Sequence, residues 1–133
     1  MIRELNRDEF YKIEQLAVQL NQNFKLSSIG ELEQVYAYFK NDTLIAFIQI
    51  LHLYETLEII NLIVDENLRN MGIGTKLLEY VLNLKNVEHV LLEVRGQNNS
   101  AINFYNKNGF QIIRTIKNYY QNDDALVMER KIL

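Results

Sequence analysis

The chain contains no cysteine, no proline and no tryptophan, and it has only two histidines. Without cysteine there can be no disulfide, no thiolate metal site and no acyl-cysteine intermediate. His52 and His89 lie far apart, each within an apolar segment. We therefore interpret both histidines as partly buried strand residues and not as a base or a metal site, and we expect no bound metal.

Basic clusters and long apolar runs are also missing. The net charge is −3 and there is no Lys/Arg block, so nucleic-acid binding has little electrostatic basis. No apolar run approaches the roughly 18 residues that a membrane-spanning helix needs, and the first residues lack the apolar core of a signal peptide. We expect no nucleic-acid partner, no membrane span and a cytoplasmic location.

Size and composition fit one folded domain. The chain has 133 residues, and 48% of them are hydrophobic, which allows a sizeable core and argues against disorder. We expect residues 1–133 to form a single domain, present as a monomer or a homodimer.

The hydrophobic periodicity predicts alternating strands and helices. Strands are predicted at residues 1–5, 34–40, 44–53, 57–64, 89–94, 111–117 and 126–132, and helices at residues 8–19, 72–84 and 99–106. Residues 21–33 are polar, with room for one further helical turn. The nearly continuous apolarity of residues 57–64 predicts burial on both faces. This order of elements indicates an α/β fold with a mixed sheet and helices on both faces.

The most informative motif lies between the strand of residues 57–64 and the helix that follows it. It reads Arg69-Asn70-Met71-Gly72-Ile73-Gly74, and Thr75 comes next. Unpaired N–H groups and the helix dipole attract anions at a helix start, and a glycine lets a phosphate approach the backbone closely. The alternative is a tight turn with close helix–sheet packing. Neither the P-loop nor the dinucleotide fingerprint fits.

This loop resembles the Q/R-x-x-G-x-G/A pyrophosphate loop of the GNAT superfamily of acetyltransferases, with Arg69, Gly72 and Gly74 at its defining positions. The resemblance implies acetyl-coenzyme A as co-substrate. It also implies a mixed, mostly antiparallel central sheet with a parallel, splayed strand pair. The donor-binding residues that it implies are Leu62, Ile63, Val64, Arg69, Asn70, Met71, Gly72, Ile73, Gly74, Thr75 and Asn98.

A second group of motifs narrows the resemblance. Leu91-Leu92-Glu93-Val94-Arg95 is followed by N-x-x-A-I-x-F-Y-x-x-x-G-F, which begins at Asn98, and then by Asn118-Tyr119-Tyr120. Residues 58–128 are similar to the ribosomal-protein alanine N-acetyltransferases, which modify protein N-termini. The resemblance implies direct transfer of an acetyl group to a primary amine, with a protein N-terminal amine as acceptor.

Glu93 and Tyr105 are the candidate catalytic residues. Glu93 is the lone acid in an apolar strand, where burial would raise its pKa and suit it to act as general base. Its alternative role is a structural ion pair with Arg95 or Arg69. Tyr105 is the candidate general acid for the departing thiolate, and its alternative role is core packing like that of Phe104. The resemblance places a catalytic Glu and a catalytic Tyr at these two positions.

Four further polar residues complete the candidate site. Asn98 is expected to contact the pantetheine arm or a phosphate, with helix capping as the alternative. Glu58 is a candidate for binding the acceptor amine or assisting the base, with a solvent-facing strand end as the alternative. Tyr119 and Tyr120 are expected beside the acceptor groove, although tyrosines also commonly cover a sheet edge.

The N-terminal part departs from the family pattern. Members of the similar subfamily carry an F-P-W-S-like motif after the first helix, whereas this chain has Asn23-Phe24-Lys25-Leu26-Ser27-Ser28 and contains neither proline nor tryptophan. Two alternatives to a protein N-terminal acceptor therefore stay open. One is acetylation of a small amine, and the other is an acyl-coenzyme A-binding module without turnover.

Overall fold

The computed structural model describes residues 1–132. Within them lie the strands β1 (Ile2–Glu4), β2 (Glu33–Lys40), β3 (Thr43–Leu53), β4 (Thr56–Val64), β5 (His89–Arg95), β6 (Gln111–Tyr120) and β7 (Asp123–Lys131). The α-helices are α1 (Glu14–Leu20), α2 (Ile73–Leu82) and α3 (Asn99–Lys107), and 3-10 segments cover Arg7–Ile13, Leu26–Ser28 and Glu66–Leu68. No helix in this part of the chain combines the length and apolarity needed to cross a bilayer.

The strands form a single sheet in the order β1-β2-β3-β4-β5-β7-β6. Every neighbouring pair is antiparallel except β4 and β5, which are parallel. The β2–β3 hairpin turns through Asn41 and Asp42, both with positive φ, as tight hairpin turns require. The predicted fold class, a mixed and mostly antiparallel sheet with one parallel pair, is confirmed.

Helices cover both faces of the sheet. On one side α2 and α3 contribute Leu77 and Tyr105 to the larger core. On the other side the 3-10 segment Arg7–Ile13 and α1 contribute Ile13 and Leu16, which pack with Phe47 of β3. We call these two sides the α2–α3 face and the α1 face.

The first helical region differs from the single helix predicted at residues 8–19. It starts as the 3-10 segment Arg7–Ile13 and continues as α1. The Glu9 carboxylate accepts a hydrogen bond from the Asn6 N–H at 3.0 Å, which satisfies a backbone donor at the start of the segment. In the polar segment 21–33 the structure has one short 3-10 turn, Leu26–Ser28.

The strand β4 is less buried than its apolar sequence predicts. Leu57 and Ile59 are buried, but Glu58 is exposed and residues 60–62 are half-buried. The prediction of burial on both faces is wrong because β5 accompanies only the first part of β4, so the second part borders an opening.

Both histidines are half-buried strand residues, as predicted. His89 Nε2 pairs with the Glu129 carboxylate on the neighbouring strand β7. His52 Nε2 lies 3.3 Å from the Asn86 carbonyl oxygen.

Candidate active site

The parallel strands β4 and β5 separate halfway along their length. They pair over Thr56–Ile59 and His89–Leu92. Beyond these residues β4 continues beside β3, and β5 continues beside β7. An opening, which we call the notch, therefore lies between residues 60–64 of β4 and residues 93–95 of β5.

Backbone groups of β4 point into the notch. The Asp65 N–H donates to the Ile45 carbonyl on the β3 side at 2.9 Å. Successive strand residues direct their backbone groups to opposite sides, so Ile63 also bonds toward β3, while Leu62 and Val64 direct theirs toward the notch. Of these three predicted donor-binding residues, Leu62 and Val64 thus have N–H groups that face the notch.

The first turn of α2 presents free backbone N–H groups. Within residues 1–132 the amides of residues 72–75 have no hydrogen-bond acceptor, and the first helical bond runs from Lys76 N–H to the Gly72 carbonyl at 3.0 Å. Gly72 has φ +79° and ψ 7°, and no atom lies within 4 Å of the position that its Cβ would occupy. With the helix dipole, these free amides make the turn electrostatically favourable for an anion, and Gly72 is exposed to solvent.

The other residues of the motif shape this turn. A Cβ on Gly74 would lie 3.4 Å from the Phe104 ring of α3. The alternative interpretation of the motif, a glycine that allows close packing of a helix, therefore applies at Gly74. Asn70 adopts a left-handed conformation with φ +65°, which turns the chain into the helix. Arg69 and Met71 are exposed beside the free amides.

Glu93 is exposed, and the prediction that it is buried is wrong. Its neighbours Leu92 and Val94 belong to the core on the α2–α3 face, so the Glu93 side chain lies on the α1 face. The core on that face draws on β2, β3 and β4 but not on β5. Glu93 therefore remains open to solvent and to an incoming ligand.

Tyr120 holds the Glu93 carboxylate. Its hydroxyl donates to Glu93 Oε1 at 2.6 Å, and the guanidinium of Arg95 lies over the Tyr120 ring, 4.0 Å from its centroid. Desolvation and the hydrogen bond to Glu93 raise the pKa of Tyr120 to about 12, so the hydroxyl stays a donor at neutral pH. The structure thus pairs Glu93 with a tyrosine, and not with Arg95 or Arg69 as the alternative interpretation expected.

A bulge in the β6–β7 hairpin positions the two adjacent tyrosines. The register shifts just before Tyr120, and Asn118 has φ +53°. The Asp124 carboxylate accepts from the Asn118 N–H at 2.8 Å, and this bond lowers the pKa of Asp124. Tyr119 is 56% exposed and packs edge-on against Tyr120, with ring centroids 5.1 Å apart.

Tyr105 lies on the opposite face of the sheet from Glu93. Its ring packs between Phe104 and Phe110 at centroid distances of 5.1 and 5.3 Å, and burial raises its pKa. The hydroxyl forms no hydrogen bond within residues 1–132, yet no fully buried side-chain oxygen there is without a partner. The hydroxyl must therefore reach solvent, so Tyr105 combines a packed ring with a free donor.

Asn98 caps helix α3. Its side-chain oxygen accepts from the Ala101 N–H at 3.1 Å, in agreement with the capping interpretation, and its Nδ2 group has no hydrogen-bond partner within residues 1–132. An open cavity of about 340 Å³ lies at this end of β5, and its lining residues are Arg95, Gln97, Asn98, Asn122 and Asp123.

The candidate residues lie on both faces of the sheet. Glu58, Glu93 and Tyr120 lie on the α1 face, and Tyr105 lies on the α2–α3 face, where the core also includes the first residue of α2. Sequence reasoning missed the stacking of Arg95 on Tyr120, for which no sequence motif gives a signal. It also missed the role of Asp124, although the carboxylate of an aspartate in a hairpin commonly accepts hydrogen bonds from the backbone N–H groups of the turn.

A family model described as the acetyltransferase (GNAT) family matches residues 1–110 of the chain. The match covers most of the sequence and agrees with the splayed parallel pair and the glycine-containing helix start. The chain belongs to the GNAT acetyltransferase family.

Individual relatives agree with this assignment. Ard1 from Thermoplasma volcanium is 30% identical, with a TM-score of 0.84 and coverage of 100% of this chain and 97% of that one. The ribosomal-protein-S18-alanine N-acetyltransferase from Escherichia coli shares the fold, with a TM-score of 0.88, 24% identity and coverage of 99% and 93%. N-alpha-acetyltransferase 50 from Danio rerio is 44% identical over an alignment of 71 residues, with coverage of 48% of this chain and 42% of that protein. The chain thus spans about half the length of the curated relatives it matches.

Proposed function

We propose that this chain is an acetyl-coenzyme A-dependent N-acetyltransferase that acetylates a protein N-terminal amine by direct attack. The arrangement of the notch carries the proposal: the Glu93 carboxylate lies on one face of the sheet and the Tyr105 hydroxyl on the other. Direct transfer requires the amine and the thioester to meet in a fixed geometry. An opening between two strands lets the two substrates approach from opposite faces.

The donor binds along the α2–α3 side of the notch. The free amides of residues 72–75 bind its diphosphate, and Arg69 adds a charge-assisted contact. The acetyl group enters the notch, where an N–H of Leu62 or Val64 donates to the thioester carbonyl oxygen and stabilises the charge that develops on it. The free Nδ2 of Asn98 contacts the pantetheine arm.

Glu93 serves as the base for the acceptor amine. Tyr120 occupies Oε1, which leaves Oε2 to take the amine proton directly or through one water. The amine lone pair then attacks the carbonyl carbon, the C–N bond forms and the C–S bond breaks, and the new amide nitrogen releases its remaining surplus proton to water. The proton stays on Glu93, and the sulfur leaves as a thiolate.

Tyr105 stabilises that thiolate. Burial raises the pKa of the Tyr105 hydroxyl, whereas an ordinary thiol has a pKa of roughly 8.5. Full proton transfer from Tyr105 to sulfur is therefore unfavourable, and we assign the hydroxyl as a hydrogen-bond donor to the thiolate. The predicted role of general acid becomes charge stabilisation, and the thiolate takes its proton from solvent.

Two observations support a protein N-terminus as the acceptor. The relatives from Danio rerio and Sulfurisphaera tokodaii are named N-alpha-acetyltransferases. Glu58, Glu93 and Tyr119 are all exposed, so the end of a polypeptide can reach the notch from the α1 face. One observation favours a small amine instead: residues 21–34 contain neither the proline nor the tryptophan of the peptide-groove motif.

A turnover assay with matched acceptors tests the proposal. The panel pairs peptides that have a free α-amine with the same peptides blocked at the N-terminus but carrying a lysine, and it adds free amino acids and diamines. We expect acetylation only of the peptides that have a free α-amine. Turnover restricted to small amines would change the acceptor class, and calorimetric binding of acetyl-coenzyme A without turnover would make the chain a binding module.

A further inference from the structure

A series of side-chain hydrogen bonds crosses three strands on the α1 face. Gln49 of β3, only 2% exposed, donates from Nε2 to Glu33 Oε1 at 2.6 Å. Its Oε1 accepts from Asn61 Nδ2 of β4 at 2.9 Å. We call Glu33, Gln49 and Asn61 the relay. A buried amide weakens a core unless both its donor and its acceptor are paired, and Gln49 is the one buried polar side chain among residues 1–132.

The Glu33 carboxylate sets the direction of every bond in the relay. An ionised carboxylate only accepts hydrogen bonds, and Glu33 Oε1 also accepts from the Gly30 N–H at 3.0 Å. Gln49 must therefore turn its NH₂ group toward Glu33 and its oxygen toward Asn61. Asn61 must in turn direct its NH₂ group toward Gln49, which leaves its own oxygen, Oδ1, pointing away from β3.

A bulge in β4 places Asn61 on the α1 face. Simple alternation would put residues 59 and 61 on the same side, and Ile59 belongs to the core of the α2–α3 face. The register shifts so that Ile59 pairs with Ile50 while Asn61 pairs with Gln49. The extra residue, Ile60, turns Asn61 to the opposite face.

Asn61 therefore borders the notch on the same face as Glu93. It lies in β4 beyond the last residue that pairs with β5, Ile59, and Glu93 lies in β5 just beyond the last residue that pairs with β4, Leu92. Since β3 is on one side of β4, the side of Asn61 that faces away from β3 is the notch side. Within residues 1–132 the Asn61 oxygen accepts no hydrogen bond.

We infer that Asn61 Oδ1 binds one N–H of the acceptor amine, and that Gln49 and Glu33 act as positioning residues that aim this oxygen. With one N–H held by Asn61 and another proton given to Glu93, the amine lone pair is directed at the thioester carbon in the notch. No proton passes to Asn61. The inference deepens the proposed acetyltransferase function and rests on it.

The relay also connects the acceptor site to the divergent N-terminal segment. Glu33 follows residues 21–32 directly, and its carboxylate binds the Gly30 N–H. Arg7 holds the same loop through the carbonyls of Gly30 and Glu31, at 2.9 and 3.0 Å. Substitutions in residues 21–32 can therefore shift Asn61 without contacting the acceptor themselves.

Two substitutions and their combination test the inference. Asn61→Ala removes the proposed amine-binding oxygen, and Gln49→Met keeps the side-chain length but releases the Asn61 amide. Gln34→Met is the matched control, since Gln34 is another strand glutamine, which donates to Glu4 at 3.1 Å on β1. For each variant we would measure kcat and the acceptor KM, with the acetyl-coenzyme A affinity by calorimetry and the melting temperature as controls for folding.

We expect Asn61→Ala to raise the acceptor KM about 10-fold, the effect of one lost hydrogen bond to a charged group, with unchanged donor affinity. Gln49→Met should raise KM several-fold in the native background and have no further effect in the Asn61→Ala background, because it acts through Asn61. Gln34→Met should change neither value.

Three outcomes would overturn the inference. An unchanged acceptor KM in folded Asn61→Ala would remove Asn61 from the acceptor site. Independent effects of the two substitutions, which multiply in the double variant, would show that Gln49 does not act through Asn61. Absence of turnover in the unmodified chain would overturn the proposed function together with this inference, whereas the first two outcomes leave the proposed function intact.

Discussion

The Tyr120 hydroxyl donates a 2.6 Å hydrogen bond to Glu93 Oε1 and so joins two strands that are not neighbours in the sheet. β7 lies between β5, which carries Glu93, and β6, which ends at Tyr120. The contact fixes one carboxylate oxygen, and the second accepts no hydrogen bond from residues 1–132. The first two predictions test the two members of this pair.

Removing the carboxylate charge of Glu93 should abolish most of the turnover. We expect Glu93→Gln to lower kcat by ~10²–10⁴-fold, the usual contribution of a general base. Acetyl-coenzyme A affinity should not change, because the residue lies on the face opposite to the donor. Steady-state kinetics and calorimetry on the same preparation check both values, and a variant with normal turnover would exclude Glu93 as the base.

Tyr120→Phe keeps the ring under the Arg95 guanidinium and removes only the hydroxyl. Loss of a hydrogen bond to a charged group corresponds to about 10-fold in rate, and we expect that decrease in kcat/KM. Tyr54→Phe, the same change on a tyrosine that is 91% exposed in the turn between β3 and β4, is the control. Equal effects of the two substitutions would mean that the bond to Glu93 has no special role.

Two substitutions at Tyr105 should separate the packing role of its ring from the chemical role of its hydroxyl. Tyr105→Phe retains the contacts with Phe104 and Phe110, so we expect an unchanged melting temperature and a roughly 10-fold lower kcat from the lost hydrogen bond to the thiolate. Tyr105→Ala removes the ring and should destabilise the chain by about 3–5 kcal/mol. Thermal unfolding and turnover distinguish the two effects, and full activity of Tyr105→Phe would restrict Tyr105 to the core.

At Gly72, charge can be tested apart from backbone strain. Asparagine and aspartate have similar shapes, and both tolerate the left-handed conformation better than most residues. We expect Gly72→Asp to bind acetyl-coenzyme A roughly 10-fold more weakly than Gly72→Asn, because its carboxylate repels the diphosphate. The difference should shrink as salt is added. Equal affinities of the two variants at low salt would place the diphosphate elsewhere.

The Glu9 carboxylate should make the stability of the folded chain depend on pH. Its carboxylate binds the Arg3 guanidinium at 2.8 and 2.9 Å and the Asn6 N–H at 3.0 Å, and these bonds lower the pKa of Glu9. A carboxyl with a lowered pKa in the folded state stabilises above its unfolded pKa of about 4.3 and loses that contribution as the pH falls.

We therefore expect Glu9→Gln to melt at a lower temperature than the unmodified chain at pH 7, with the two curves converging below about pH 4. Melting temperatures measured across this range check the prediction. Because Glu14 forms no ion pair within residues 1–132, Glu14→Gln serves as the control. A difference between the Glu9→Gln and unmodified curves that stays constant with pH would contradict the role assigned to the Glu9 carboxylate.

The regular elements were predictable because local patterns determine them. The alternation in β2 and the helical period of α2 are local patterns, and α2 buries Leu77, Leu78 and Val81 in the core of the α2–α3 face. The glycines at the start of α2 have a backbone role that can be recognised in the sequence, and Gly72 indeed has a positive φ. The family could be assigned for the same reason, since its loop is a continuous segment.

The contacts that complete the site could not be predicted, because they depend on irregularities of the sheet. Alternation along β4 would place Asn61 beside Ile59, and only the extra residue at the bulge turns it toward Gln49. The bulge near Asn118 likewise sets where Tyr120 ends up relative to Glu93. The exposure of Glu93 depends on how far the helices of the α1 face extend, which no local pattern encodes.

The brief pairing of β4 with β5 divides the sheet into two halves joined by a short seam. Four residue pairs form this seam, compared with eight between β3 and β4 and seven between β5 and β7. Strands with fewer shared hydrogen bonds open more readily, and a ligand that binds only the closed state suppresses such opening. A donor bound in the notch would thus fill the space where β4 and β5 do not pair. Amide hydrogen exchange should then slow in both strands at once.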